Sequence, residues 1–189
     1  MLLKIDGVTL ITDPVFSARA GIGIGPVTLG LKRLVAPALT IAELPKIDVV
    51  LLSHAHMDHF DIRSLRKLEN PWTTVVTAAR TGDLLRARRY RAVREVAWGE
   101  RVRVGPLEIR AFQVRHWGAR MRSDTYRGYN GYTIESGRHR VLFGGDWPVL
   151  TMAASYRKWV STLDELTAHL SASAVRKLWA ENARRIYRL

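Results

Sequence analysis

Ile47-Asp48-Val49-Val50-Leu51-Leu52-Ser53-His54-Ala55-His56-Met57-Asp58-His59 decides the reading of this chain. Its first seven residues are a short, almost continuously apolar run, the pattern of a strand buried on both faces. The run stops at three imidazoles and a carboxylate within six residues. A strand ending at such a cluster delivers these side chains, on a loop, to the rim of a sheet. In an extended H-x-H segment alternate side chains share a side, so His54 and His56 face together. Asp58 and His59 follow after a turn and can face a second point nearby. That arrangement suits two metal ions better than one. Imidazole and carboxylate without thiolate suit zinc, or iron or manganese, at a hydrolytic site.

Working outward, Val8 to Thr12 reads as a strand, paired with Leu2 to Ile5 across Asp6-Gly7. Asp13-Pro14 ends it. Residues 15 to 45 are rich in glycine and proline and read as a long loop over the site. Beyond the motif, Asp61 is placed to cap a short helix, Ile62 to Leu68, with Leu65 and Leu68 on its inner face. A strand over Thr73 to Thr77, a helix near Gly82 to Arg89 and a strand over Ala92 to Ala97 follow. Arg101 to Val104 and Leu107 to Val114 alternate around a Gly105-Pro106 turn. Gly131 to Glu135 and Arg140 to Phe143 form a further pair. From residue 147 onward the pattern is helical: Ala153 to Leu170, then Ser171 to Tyr187 with Ser171 as N-cap.

Two later residues join the candidate ligands. His116 follows the Leu107 to Val114 strand, where it can complete three imidazoles around one ion. Asp146 follows an apolar strand and Gly144-Gly145, which let the backbone turn sharply and bring a carboxylate to the site.

These motifs resemble the metallo-β-lactamase superfamily. Leu10 to Phe16, Leu44 to Val50, Ser53 to Asp61, Trp98 to Glu100, Arg115 to Trp117 and Leu142 to Asp146 are similar to one branch. It contains the N-acyl-phosphatidylethanolamine-hydrolysing phospholipase D-like and ascorbate-6-phosphate lactonase-like proteins. The resemblance implies that His54, His56 and His116 hold one zinc, and Asp58 and His59 a second. Asp146 would bridge the two ions and stand with Asp58 as a catalytic residue, while Asp13 would orient a ligand. It implies a zinc-activated water attacking a phosphodiester, lactone or ester. It also implies an α/β fold, a partial αββα sandwich made mainly of the N-terminal half, followed by an all-helical tail. The family's second half, with a further histidine, has no counterpart here, so one zinc or two is expected. Residues 1–146 would form an incomplete domain.

Residues 147–189 would be a tail rather than an independent domain. Arg140 to Leu150, Ala153 to Arg157 and Glu181 to Leu189 resemble the C-terminus of TIM-barrel amidohydrolases. A join near Phe143 to Asp146 is the reading this suggests. The apolar stripe Val160, Leu163, Leu166 and Leu170, or a homo-oligomer, would then cover the sheet face left open.

Composition bounds the rest. The chain has 189 residues, no cysteine and a net charge of +13. Disulfides and thiolate metal sites are excluded. The absence of a long apolar run predicts no transmembrane segment, and the N-terminus does not read as a signal peptide, so a cytoplasmic location is expected. The positive charge reads first as an Arg-rich solvated helix face and loop, and second as attraction to an anionic small-molecule or phospholipid-type substrate. It is scattered, and its densest run, Arg86 to Arg91, lacks interleaved stacking aromatics, which argues against nucleic acid. A nuclease and an inactive metal-binding remnant are the alternatives to a hydrolase.

Overall fold

The computed structural model describes residues 1–25, 27–86, 89–137 and 155–187. Residues 1–133 and 134–189 form two compact units, described separately below.

The first unit is organised around the strand that precedes the histidine motif. β1 (Leu2–Ile5) and β2 (Val8–Thr12) form the hairpin expected from Asp6-Gly7. β3 (Arg19–Ile24) and β4 (Val27–Lys32) follow. β5 (Val49–Leu52) then lies parallel to β2, with Leu10 opposite Val49 and Thr12 opposite Leu51. β6 (Thr74–Ala78) and β7 (Ala92–Val96) continue the parallel sheet, giving the order β1-β2-β5-β6-β7. The helix α1 (Ile62–Lys67) makes the crossover from β5 to β6. Asp61 caps it by accepting from Arg63 N–H, and Leu65 and Leu68 are buried, as its spacing predicts.

All four residues of β5 and all five of β6 are buried, so the centre of this sheet is covered on both sides. One core contains Ile11, Val50, Leu52, Phe60, Leu65, Val75 and Leu85. A second sheet has the order β10-β9-β8, from β8 (Arg101–Val104), β9 (Leu107–Phe112) and β10 (Gly131–Ser136). Leu107, Ile109 and Ala111 of β9 are fully buried. This is a mixed α/β, sheet-dominated architecture, in line with the predicted class.

Two expectations for this unit need correction. Residues 15–45 are not one long loop: β3 and β4 pair in register, with Gly21 opposite Gly30. Their glycines read as loop punctuation, yet they permit a close backbone approach. A Cβ built on Gly21 would lie 1.9 Å from the Leu29 carbonyl oxygen. The helix expected near Gly82 to Arg89 contracts to a 3₁₀ turn, Gly82–Leu84.

In the second unit, α2 (Tyr156–Thr167) starts at Ser155, whose side chain accepts from Lys158 N–H. Ser171 caps α3 (Ala172–Arg176) as expected. A π-helical turn, Lys177–Glu181, links it to α4 (Asn182–Tyr187), so the predicted single helix is interrupted. Among the described residues no helix is long and apolar enough to cross a membrane. The proposed strand at Arg140 to Phe143, the join near Phe143 to Asp146, and Asp146 itself lie outside the described residues.

Candidate metal centre

Parallel pairing of β2 and β5 brings their C-terminal ends to the same rim of the sheet, where open α/β sheets place ligands. Asp13 leaves β2 there, and Ser53 to His59 leave β5. Asp13 N–H donates to Leu51 O at 2.9 Å, and Asp13 Oδ1 accepts from Ser53 N–H at 2.8 Å. Asp13 has φ +40°, left-handed backbone that is uncommon outside glycine. That turn lets its carboxylate reach back across the next strand.

Three imidazoles converge beyond it. His54 Nε2 lies 2.9 Å from His56 Nδ1 and 2.9 Å from His116 Nε2. One ring nitrogen from each residue lies within 4.8 Å of the others. His54 is buried, and an antiparallel bridge to Tyr129 holds its backbone. Asn130 N–H donates to Ser53 O at 2.9 Å and extends that bridge. His116 comes from the segment after β9, so two separate sheets contribute to one point.

The hydrogen bonds assign the tautomer of His54. Ser53 Oγ donates to Asp13 Oδ2 at 2.8 Å, so it accepts from Nδ1–H of His54, also at 2.8 Å. Nε2 is then left with its lone pair, facing His56 and His116. His59 Nδ1 sits 3.0 Å from the same Asp13 oxygen. One carboxylate thus orients two imidazoles, the arrangement that raises ligand basicity and fixes ring direction around metals. Burial, then the neighbouring His59, His116 and His56, push the His54 pKa down to about 2. Its ring is neutral at physiological pH and available as a ligand.

Asp58 and His59 stand beside this group. The rings of His54 and His59 are 4.3 Å apart, and His59 Nε2 is 3.7 Å from Asp58 Oδ2. The structure therefore gathers His54, His56, His59, His116, Asp58 and Asp13 at one rim. Three imidazole nitrogens brought within 4.8 Å of one another fit a divalent cation, and a thiolate-free donor set suits zinc, iron or manganese.

Several supporting residues escape sequence reasoning. Arg120 Nη1 donates to Ala55 O at 2.8 Å and to Phe60 O at 2.9 Å, so it clamps both ends of the ligand loop. Trp98 Nε1–H donates to Tyr129 O at 2.6 Å, and Tyr132 OH to Leu52 O at 3.0 Å. Their partners lie 31 to 80 residues away, beyond any local pattern. Trp98 carried the one signal, as part of the Trp98 to Glu100 motif.

Comparison with known proteins agrees with this geometry. A family model described as a beta-lactamase superfamily domain matches residues 9–178. An uncharacterised protein of Mycobacterium tuberculosis is 31% identical over 150 residues, covering 77% of this chain and 39% of that protein. N-acyl-phosphatidylethanolamine-hydrolysing phospholipase D 1 of Caenorhabditis elegans is 28% identical over 158 residues, covering 77% of this chain and 44% of that protein. The chain thus spans 39% to 44% of the length of these relatives. A possible metal-dependent hydrolase from Veillonella parvula superposes with a TM-score of 0.54 at 15% identity, covering 75% of this chain and 56% of that one. At that identity the likeness is one of fold.

Proposed function

This chain belongs to the beta-lactamase superfamily, and on that premise we propose that it is a metal-dependent hydrolase centred on His54, His56 and His116. The observation that carries the reading is the convergence of three ring nitrogens within 4.8 Å, at the end of a buried strand. A bound divalent ion supplies Lewis acidity and lowers the pKa of water towards neutrality. The chain's own residues do the positioning. Asp13 and Ser53 hold His54 with Nε2 presented, and Asp13 also binds His59 through Nδ1. Asp58 and His59 stand beside the three imidazoles and would hold a further ion there. Asp58 would also be the residue to accept a proton at that site. The family resemblance supports Asp146 as the bridging carboxylate. The donor types favour zinc, with iron and manganese as alternatives.

The substrate we propose is an anionic phosphodiester, lactone or ester, with a phospholipid-type molecule foremost. The Caenorhabditis elegans relative is named for hydrolysing such a lipid, and a net charge of +13 attracts anions.

Zinc per chain by elemental analysis tests the reading, run beside His56→Ala and bis(p-nitrophenyl) phosphate turnover. Bound zinc with turnover that disappears in the variant supports the hydrolase. Bound metal with no turnover on phosphodiester, lactone or ester identifies a metal-binding remnant instead. Salt-dependent binding and cleavage of RNA or DNA identifies a nuclease.

A further inference from the structure

The β3–β4 hairpin has two chemically opposite faces. Directly paired residues share a face, so the register sorts the side chains. Ala20 and Leu31, Ile22 and Leu29, and Val27 occupy one face, which is apolar at each of these positions. Gly21 and Gly30, Gly23 and Thr28, and Arg19 and Lys32 occupy the other.

The second face is turned towards α1. Phe16 N–H donates to Ser64 Oγ and Ser17 N–H to Asp61 Oδ2 at the base of the hairpin. At the tip, Arg63 Nη2 donates to both Gly25 O and Val27 O at 2.8 Å. A Cβ on Gly23 would lie 3.5 Å from the Arg63 guanidinium. The apolar face therefore points away from the body. Leu29 is 59% exposed, Leu31 83% and, just beyond the hairpin, Leu34 97%. Ile22, Val27 and Val35 are exposed too. Such a contiguous patch marks a surface that meets something apolar.

Charge decides what that is. From Pro14 to Ala42 the chain has no aspartate or glutamate, but it has Arg19, Lys32 and Arg33. Behind the hairpin a cleft of about 580 Å³ is lined by Arg19, Thr28, Arg66 and Lys67, among others. The layout is an apolar surface backed by cations on long, flexible stems. An anionic bilayer surface matches both layers, with acyl chains against the leucines and headgroup phosphates against the cations. A second copy of the chain matches only the first, because pairing two such faces brings like charges together.

We propose that the β3–β4 hairpin docks the protein on anionic lipid bilayers, with Leu29, Leu31 and Leu34 entering the interface and Arg19, Lys32, Arg66 and Lys67 engaging headgroups. The hairpin begins six residues after Asp13, and α1 follows the His54 to His59 motif directly. Docking there holds the metal centre beside the lipid surface. Docking goes beyond the hydrolase reading and does not depend on turnover.

Co-sedimentation with vesicles tests it, using phosphatidylcholine alone and phosphatidylcholine mixed with phosphatidylglycerol. Wild type should pellet with the mixed vesicles and not with the neutral ones, and added salt should weaken the association. Leu29→Ser/Leu31→Ser should lower partitioning on the order of a hundredfold. Arg66→Gln/Lys67→Gln should lower it roughly tenfold or more. Both variants should keep the wild-type melting curve, zinc content and turnover of soluble bis(p-nitrophenyl) phosphate, so a failed metal centre is distinguished from a failed surface. No binding to mixed vesicles by wild type overturns the proposal. So does leucine-variant binding equal to wild type, which would assign the effect to overall charge. A wild-type dimer in sedimentation velocity that the leucine variant abolishes, without vesicle binding, assigns the face to a second copy.

Discussion

β5 and the β3–β4 hairpin are both short and rich in branched apolar residues, yet the protein uses them in opposite ways. β5 is hydrogen-bonded on both sides, by β2 and β6, and all four of its residues are buried. Among the described residues the hairpin strands pair only with each other, and they turn an apolar face outwards. The difference teaches that apolar content does not itself specify burial, because neighbours on both edges and both faces are also needed. It also separates two tasks. Chemistry requires ligands held to within about half an ångström on rigid elements, and β5 provides that rigidity. Surface recognition requires accessible area, which the hairpin provides.

The largest effect should come from breaking the rigid side. Phe60 is fully buried among the core that contains Val50, Leu52 and Leu65, and it directly follows the ligand motif. Its N–H donates to His56 O at 2.7 Å, and Arg120 binds its carbonyl. Phe60→Ala should cost about 3–5 kcal/mol of stability by urea unfolding, and metal affinity should fall with it. A cost below about 1 kcal/mol would mean that the core does not pack around this ring as described.

Next comes Asp13, the carboxylate shared by Ser53 and His59. Asp13→Ala removes the acceptor that fixes both imidazoles and should weaken metal binding roughly 10- to 100-fold, as read by competition with a chromophoric chelator. Asp13→Asn should keep the left-handed backbone more comfortably, because asparagine tolerates that region. It should still lose part of the affinity, since an amide offers one acceptor where the carboxylate offers two. Equal affinity in all three proteins would remove Asp13 from any orienting role.

The metal-free centre carries a pH signature. His54 has a folded-state pKa depressed from 6.5 to about 2, first by burial and then by the neighbouring histidines. Between those values the unfolded chain binds more protons than the folded one, so stability falls as pH drops below 6.5. At pH 5 the loss from this ring is at most about 2 kcal/mol. Thermal melts in chelator at pH 7.5 and 5 should show the drop, and His54→Gln should shrink it. An unchanged pH dependence in that variant would place the titration elsewhere.

How much of this was legible in the sequence follows from what kind of signal each feature leaves. Val49 to Leu52 and the residues up to His59 announce themselves locally, by an apolar run and by ligand types that few other tasks require. Asp61 and Ser171 were readable as caps for the same reason. The hairpin was not, because Gly21, Gly23, Gly25 and Gly30 carry the composition of a loop. Only the pairing of Gly21 with Gly30 shows why glycine serves a strand there. The Asp13–Ser53–His54 relay depends on β2 and β5 being parallel neighbours, and Arg120 depends on partners about 60 residues away. Neither leaves a periodic trace. His116 lay between these extremes: its type suggested a ligand, and only the fold brings its ring to His54.

The smallest global effect should come from the hairpin itself, and it sharpens the contrast most. At Gly21 an added Cβ meets backbone, 1.9 Å from Leu29 O and 2.6 Å from Gly30 Cα, so the strands must part. At Gly23 the nearest atom is 3.5 Å away on a flexible arginine side chain. Gly21→Ala should therefore open the hairpin and speed limited proteolysis within residues 19–32, while Gly23→Ala should leave cleavage near wild type. Because the hairpin stands outside the core built on β5 and β6, its opening is a local event. The global unfolding transition should move by less than about 1 kcal/mol in either variant, with metal content unchanged. If Gly21→Ala instead lowered stability as much as Phe60→Ala, or released the metal, the hairpin would be part of the scaffold, and the division between a rigid ligand strand and a separable surface element would fail.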